Sequence, residues 1–275
     1  MGAYSKYLNL NFKQMKKALS LAVLLFVGLA VNAQTSTTIT TTSTPGLAKW
    51  RFGIKGTLGG SWLKSNKSNM EYASPGFQYS GGLQIEKSLS KTVSFVTGID
   101  ISAQGGKVSF GDSAHAVLKN DGKDYYMKSR SYNFQSIDIP LSLKLKTSEI
   151  GYLTYWMQVG VMPSIMWKAT ASKNTYDNGG GVATLAETNG DDKKLDVRND
   201  CNLFRASIIA GLGVEYNLAG STSLLLGIHY VDGFTSTVLK ESKTLYTSNW
   251  AHLNQKQMEQ SLSSKYIMLT AGLLF

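Results

Sequence analysis

Cysteine occurs once in the 275 residues, at Cys201. A lone thiol closes no intrachain disulfide, so the fold holds by packing and hydrogen bonding. Proline is scarce, with four residues, and charged residues make up only 17%. No long segment spaces its apolar residues at the helical period of 3.6, which argues against helical bundles and α/β folds. Only three histidines are present, His115, His229 and His252. They leave little material for metal or acid–base chemistry.

The chain also lacks an apolar run long enough for a spanning helix. Met15–Lys17 ("MKK") is a basic start, and "ALSLAVLLFVGLAVNA" at 18–33 is an apolar stretch with a small-residue end. It falls short of the roughly 20 residues a helix needs to cross a bilayer. The pattern predicts a signal peptide over 1–33, cleaved after Ala33, with Met15 as an alternative start. No Cys follows it, which argues against lipoprotein processing. Loss of Lys6, Lys13, Lys16 and Lys17 lowers the formal charge from +10 to about +6. That modest surplus gives no reason to expect a nucleic-acid partner. Residues 34–49, with "TSTTITTTSTPG", read as a low-complexity leader.

From Trp50 onward a period of two recurs. In "SIDIPLSLKLK", Ile137, Ile139, Leu141, Leu143 and Leu145 share one face, and Asp138, Ser142, Lys144 and Lys146 the other. Eight such segments are predicted, at 50–63, 75–88, 92–110, 131–146, 152–168, 202–218, 222–237 and 264–275. The gaps alternate between long polar ones, 64–74 the first, and short ones. Unlike ends of this kind suit an eight-stranded antiparallel up-and-down transmembrane β-barrel over 50–275, with short periplasmic turns and long external loops. Pro140 and Pro163 fall within predicted strands and imply bulges or irregularity. Gly105–Gly106 suggests a bend.

A water-soluble barrel alternates too. Three features favour lipid. The segment middles, such as "TGIDISA" and "ASIIAGLGV", hold no Phe, Tyr or Trp, whereas their ends carry Trp50, Phe52, Trp62, Phe77, Tyr79, Tyr132, Phe134, Trp156, Trp167, Tyr230 and Tyr266. Aromatic rims around an aliphatic belt match two membrane interfaces. The polar face mixes glycines with charges, and Lys55, Lys144, Lys146 and Arg205 are expected to pair with Glu86, Asp100, Asp138 and Glu215 inside the barrel. Finally, Ile267, Leu269, Ala271, Leu273 and Phe275 share one register up to the last residue.

"FGIKGTLGGSWL", "SIDIPLSLKLK", "QVGVMPSIMWKA", "IAGLGVEYNL" and "LGIHYVDGFTS" resemble the bacteroidete outer-membrane β-barrel proteins, the porin-family or PorT-like group. The resemblance runs from about Phe52 to Phe275 and implies an outer-membrane location in a Gram-negative-type envelope. No residue marks the secretion-linked branch, and "porin" implies a pore that eight strands would not provide. The final strand ending in Phe275 resembles the signal read by the outer-membrane insertion machinery.

An enzyme reading needs a His with an acid and a hydroxyl. His229 with Asp232 and Ser223 is the available set, and an interior structural His is the competing reading. Asp191, Asp192, Asp196 and Asp200 lack the Asp-x-Asp-x-Asp-Gly spacing of a Ca²⁺ loop and read as a solvated charged loop. "GLGVE" at 211–215 lies inside a strand and is no dinucleotide site. Lys119, Lys123, Lys128 and Arg130 read as solvated loop charges that could also touch lipopolysaccharide phosphates. No catalytic, cofactor or metal residue is therefore assigned. The expected partners are outer-membrane lipid and lipopolysaccharide, the insertion machinery, and a protein partner the sequence does not name. The expected role is non-enzymatic: structure, adhesion or assembly. A small-solute channel is the alternative, and a lipid A-modifying enzyme comes third. Deleting Phe275 should lower membrane levels more than it lowers the stability of the inserted barrel. Immunoblots of fractionated envelopes read this, and unchanged levels would count against it.

Overall fold

The computed structural model describes residues 50–111, 115–120, 123–177, 182–184, 194–248 and 256–275. The predicted signal segment and leader lie outside them. In chain order the strands are β1 (Trp50–Ser65), β2 (Met70–Ser88), β3 (Val93–Phe110), β4 (His115–Asn120), β5 (Lys123–Asp138), β6 (Leu141–Lys146) and β7 (Leu153–Asp177). They continue with β8 (Val182–Thr184), β9 (Leu195–Asp196), β10 (Phe204–Ala219), β11 (Thr222–Gly233), β12 (Glu241–Ser248), β13 (Lys256–Glu259) and β14 (Leu262–Leu274).

Eight staves form the ring: β1, β2, β3, β5 continued by β6, β7, β10, β11 and β14. Every adjacent pair is antiparallel, and β14 returns to β1 through Gly53 opposite Leu274 to Ser65 opposite Leu262. The Phe52 and Phe275 amides each donate to the other's carbonyl, at 2.9 and 2.8 Å. The strands tilt, as closure requires. Following partners from Glu86 through Val96, Ser142, Gly160, Ile209, Val231, Tyr266 and Ser61 returns to β2 at Gly76, ten residues away.

Alternation sets the two faces. Leu58 is 59% exposed and its neighbour Thr57 only 4%. Ile54, Ile99, Leu143, Val159, Leu212 and Leu269 likewise lie exposed on the outer wall. A contiguous apolar band of this extent has no place against water and fits lipid. Ile267, Leu269, Ala271, Leu273 and Phe275 all point outward, as their shared register requires.

The two prolines act differently from each other: Pro140 brings the expected irregularity and Pro163 does not. Pro140 ends the ladder between β5 and β6, because it has no N–H to donate. Ile139 still donates to the Pro163 carbonyl at 2.9 Å. Pro163 stays in β7 opposite Ala206 with no register shift. The β2–β3 register does shift opposite Gly105–Gly106, between Pro75 and Tyr79.

At the end away from Trp50 and Phe275 the strands outrun any bilayer. β7 has 25 residues, where roughly 9–11 suffice to cross. The excess builds a second tier. There β4 pairs with β5 and β12, β12 with β13, and β8 and β9 with β7. The predicted long gap over 64–74 is a short turn over 66–69, because β1 and β2 extend into this tier and Met70 is buried in it. The tier has its own apolar core, including Leu63, Met70, Val108, Met127, Phe134, Met166, Leu245, Met258 and Leu262. Tyr132 and Phe134, expected on a rim, stack in this core with centroids 5.6 Å apart. Trp156 and Tyr266 also face inward and are buried.

Cys201 closes this core. Its Sγ donates to the Val197 carbonyl at 3.2 Å. Burial, reinforced by the Asp200 charge, pushes the thiol up to about 12. Maleimide labelling of the folded protein at pH 8 should be slower than that of the guanidinium-unfolded chain by at least about a hundredfold, because the thiolate is the reactive form. Comparable rates would show that the tier does not stay packed.

Candidate functional site: the packed barrel interior

A barrel of eight strands has an interior about as wide as the side chains that fill it. The charges there fall into two clusters. The first lies toward the end with the short turns. β1 brings Arg51, β2 Glu86, β6 Lys144 and Lys146, and β10 Glu215. Arg51 lies 2.8 Å from Glu215 and 3.6 Å from Glu86. Lys144 bonds both carboxylates, at 3.2 Å to Glu86 and in close contact with Glu215. Lys146 is in close contact with Glu86 and 3.7 Å from Glu215. Three cations thus surround two carboxylates. Lys144 is fully buried, and its Nζ lies 5.0 Å from the Trp156 ring centroid, where the π face adds negative potential.

The second cluster lies nearer the tier. Lys55 from β1 holds Asp100 from β3 at 2.8 Å. Asp138 from β5 accepts from Ser102 at 2.6 Å and Ser136 at 2.9 Å. Arg205 from β10 donates to Ser136 at 2.8 Å. Turned to satisfy its neighbours, the Gln104 amide accepts from Arg205 at 2.6 and 2.9 Å and donates to Ser264. Two cations here balance two carboxylates. All eight residues expected inside are inside, and Arg51 joins them. Its position beside Trp50 reads as a rim charge in sequence, although it shares parity with Lys55.

Glycines give the interior its room. A Cβ at Gly213 would come within 2.6 Å of the Trp156 ring, and one at Gly227 would also strike that ring. A Cβ at Gly211 would overlap His229. Gly211 and Gly213 of "GLGVE" therefore serve packing in β10.

The proposed His229 set does not assemble. His229 points inward, and its Nδ1 lies 2.8 Å from the Thr270 hydroxyl. Asp232 lies three residues on, an odd step in a strand, so it points outward. It pairs with Lys265 at 2.5 Å and accepts from the Tyr230 hydroxyl at 3.2 Å. Ser223 lies six residues away, opposite Leu274 at the short-turn end.

The loop charges also divide. Asp200 is buried rather than solvated, in the 3-10 turn Arg198–Asp200. It accepts from Ser242 Oγ (2.7 Å), Thr244 Oγ1 (2.8 Å) and the Lys243 amide (2.6 Å), and so pins β12. Asp196 accepts from the Arg198 amide at 2.9 Å. Asp191 and Asp192 lie outside the described residues, as does His252. Among the described residues no three of His, Cys, Asp and Glu gather as a metal site. Arg130 is buried in the tier, with Nε donating to Asn174 at 3.0 Å and its guanidinium 5.8 Å from the Tyr132 ring. It cannot reach a lipid phosphate. Lys119 and Lys123 lie on β4 and β5.

The first cluster predicts unequal costs. Lys144→Met leaves two cations against two carboxylates. Glu215→Gln leaves three cations around Glu86 alone. Removing one partner of a buried ion pair costs about 3–5 kcal/mol when it strands a charge. Glu215→Gln should fall in that range and Lys144→Met clearly below it, as read from guanidinium unfolding in lipid vesicles. The reverse order would show that the cluster does not act as a unit.

The family model for the outer membrane protein beta-barrel domain matches residues 18–238. No curated protein matches. Among solved structures the chain resembles the Neisserial surface protein A, at 11% identity and a TM-score of 0.37, covering 81% of this chain and 95% of that one. It also resembles outer membrane protein OprG from Pseudomonas aeruginosa, at 11% identity and a TM-score of 0.41, covering 84% and 98%. A third is the outer membrane protease OmpT from Escherichia coli, at 12% identity and a TM-score of 0.41, covering 86% and 99%. The family match spans most of the chain, and the closed eight-stave ring with its apolar outer wall is the architecture that family describes: this chain belongs to the outer-membrane β-barrel proteins.

Proposed function

We propose that this outer-membrane barrel is a closed, non-enzymatic anchor that holds a rigid β-tier outside the cell for adhesion, assembly or structural contact with a protein partner. One observation carries the reading. The interior is filled along its length, by two ion clusters through the lipid band and by an apolar core at the tier end. The short-turn end, with Trp50 and Phe275, is the periplasmic side in this reading, because barrels of this class keep their short turns there. Phe275 at the end of β14 then offers the insertion machinery its recognition strand. The Bacteroidetes resemblance rests on "SIDIPLSLKLK" and its companion segments and adds no residue-level role.

A channel would need a continuous wet path past Lys144, Glu86 and Glu215, whose side chains meet across the interior. The enzyme reading built on His229 would need it to share a face with its acid, and Asp232 sits on the opposite one. Purified protein in planar bilayers should leave the membrane silent under applied voltage. Well-resolved unitary steps that respond to substitution of Lys144 would overturn the closed reading in favour of a small-solute channel.

A further inference from the structure

The tier core holds one charge that the fold leaves uncompensated. Arg130 of β5 is fully buried, and among the described residues only Asn174 accepts from it, at its Nε. Both Nη1 and Nη2 are buried without an acceptor. The Tyr132 ring, 5.8 Å from the guanidinium carbon, offsets part of the charge but accepts neither of these hydrogen bonds. Asp200, a buried carboxylate of the tier, is already taken by Ser242, Thr244 and the Lys243 amide.

The chain departs from regular pairing to keep this group inside. The β5–β7 register shifts on both sides of Ser129, and Ser129 and Arg130 are both buried although they are neighbours. In the facing stretch of β7, exposed Lys173 takes a left-handed backbone, with φ 47°, which few non-glycine residues adopt. Asn174 beside it turns inward and meets Nε at 3.0 Å. A cation stranded in apolar surroundings is costly. A local distortion that places one there points to a counter-ion from outside the chain.

Three features define the class of that ion. One cation balances one negative charge. Two Nη donors in a planar fork match the two oxygens of a carboxylate. The surrounding core, with Met70, Met127, Met166, Met258, Phe134 and Leu245, suits a hydrocarbon tail. No part of Arg130 is exposed, so the occupant is small and the core must yield to admit it. Unbranched methionines repack readily and supply that give. We infer that Arg130, with the Tyr132 hydroxyl as a further buried donor, binds a short-chain monocarboxylate inside the tier. The site lies in the tier whichever way the barrel is oriented, so it stands apart from the anchor reading.

The test uses the refolded full chain in nonionic detergent, with Cys201 as reporter because it belongs to the same core. Hexanoate should slow maleimide labelling of Cys201 about a hundredfold at a hundred times its Kd, since it binds only the packed tier. Affinity should fall about fourfold for each methylene removed between hexanoate and butanoate. Hexanamide, which carries no charge, should have no effect. Without ligand, Arg130→Met should label no faster than wild type, because it removes an uncompensated charge, and it should lose the response to hexanoate. Arg130→Lys keeps the charge without the fork and should bind hexanoate about tenfold more weakly. Arg198→Gln should keep the full response, because Arg198 bonds the Cys201 carbonyl and is not buried in the core. Labelling that hexanoate leaves unchanged, an equal response to hexanamide, or a response that survives in Arg130→Met would overturn the site. Faster ligand-free labelling of Arg130→Met would show that the fold already satisfies Arg130, and would overturn it too.

Discussion

Closure of the hydrogen-bond ring is the constraint from which the other features follow. In lipid an open sheet edge strands backbone donors and acceptors, so the first and last staves must meet. β1 and β14 meet over the whole of β14, from Gly53 opposite Leu274 to Ser65 opposite Leu262. Once eight strands close with a ten-residue stagger, the bore is fixed. Inward side chains from all eight staves must then share that bore. The glycines at 211, 213 and 227 answer that demand directly, because they vacate the volume taken by Trp156 and His229. The bore is also too narrow for charges to stay hydrated, so Lys144 and Glu215 must satisfy each other.

The interior changes character along the axis, against the usual arrangement. Where lipid surrounds the wall, the inside is largely ionic and hydroxylic, with small apolar clusters around Met162 and Trp156 between the charges. Where water surrounds the wall, the inside becomes apolar, with Leu63, Val108, Phe134 and Met166 stacked above Ser61, Gln104, Ser136 and Ser164. The physical reason is the outer medium. In lipid, the outward apolar face already satisfies the hydrophobic effect, and the ladder supplies cohesion. In the tier, water contacts the outer wall, so burial of apolar surface inside must drive folding as it does in a soluble domain. One set of continuous strands therefore crosses from one stabilising regime to the other.

Much of this was written in the alternation. The eight staves, the outward register ending at Phe275 and the eight interior charges could be assigned from parity alone. Arg51 was missed because it neighbours Trp50 at a strand start, where a cation reads as a headgroup contact. The same parity rule would have placed it inside with Lys55. It would also have separated His229 from Asp232, since residues an odd number apart cannot share a strand face. The tier was less legible. Register shifts near Ser129, Ser131 and Gln135 break the period of two in β5 and β7. The small strands β8, β9 and β13 are too short to show a period at all. Tyr132 and Phe134 mark the difficulty: an aromatic at a strand end looks the same whether it sits on a lipid rim or in a core above it.

The two regimes also explain where polar residues from the long connections are tolerated. Asp200 sits buried beside an apolar core, yet three donors from β12 satisfy it, so its charge organises the fold instead of opposing it. That arrangement ties the connection between β9 and β10 to the hairpin of β12 and β13, two segments distant in sequence. A connection fixed in this way cannot swing as a free loop without stranding a buried carboxylate. The tier is therefore held at both levels, by strands that rise continuously from the closed ring and by a buried ion that locks the connections above it. Among the described residues the tier is a continuation of the ring, and that is the consequence of packing these residues in this order.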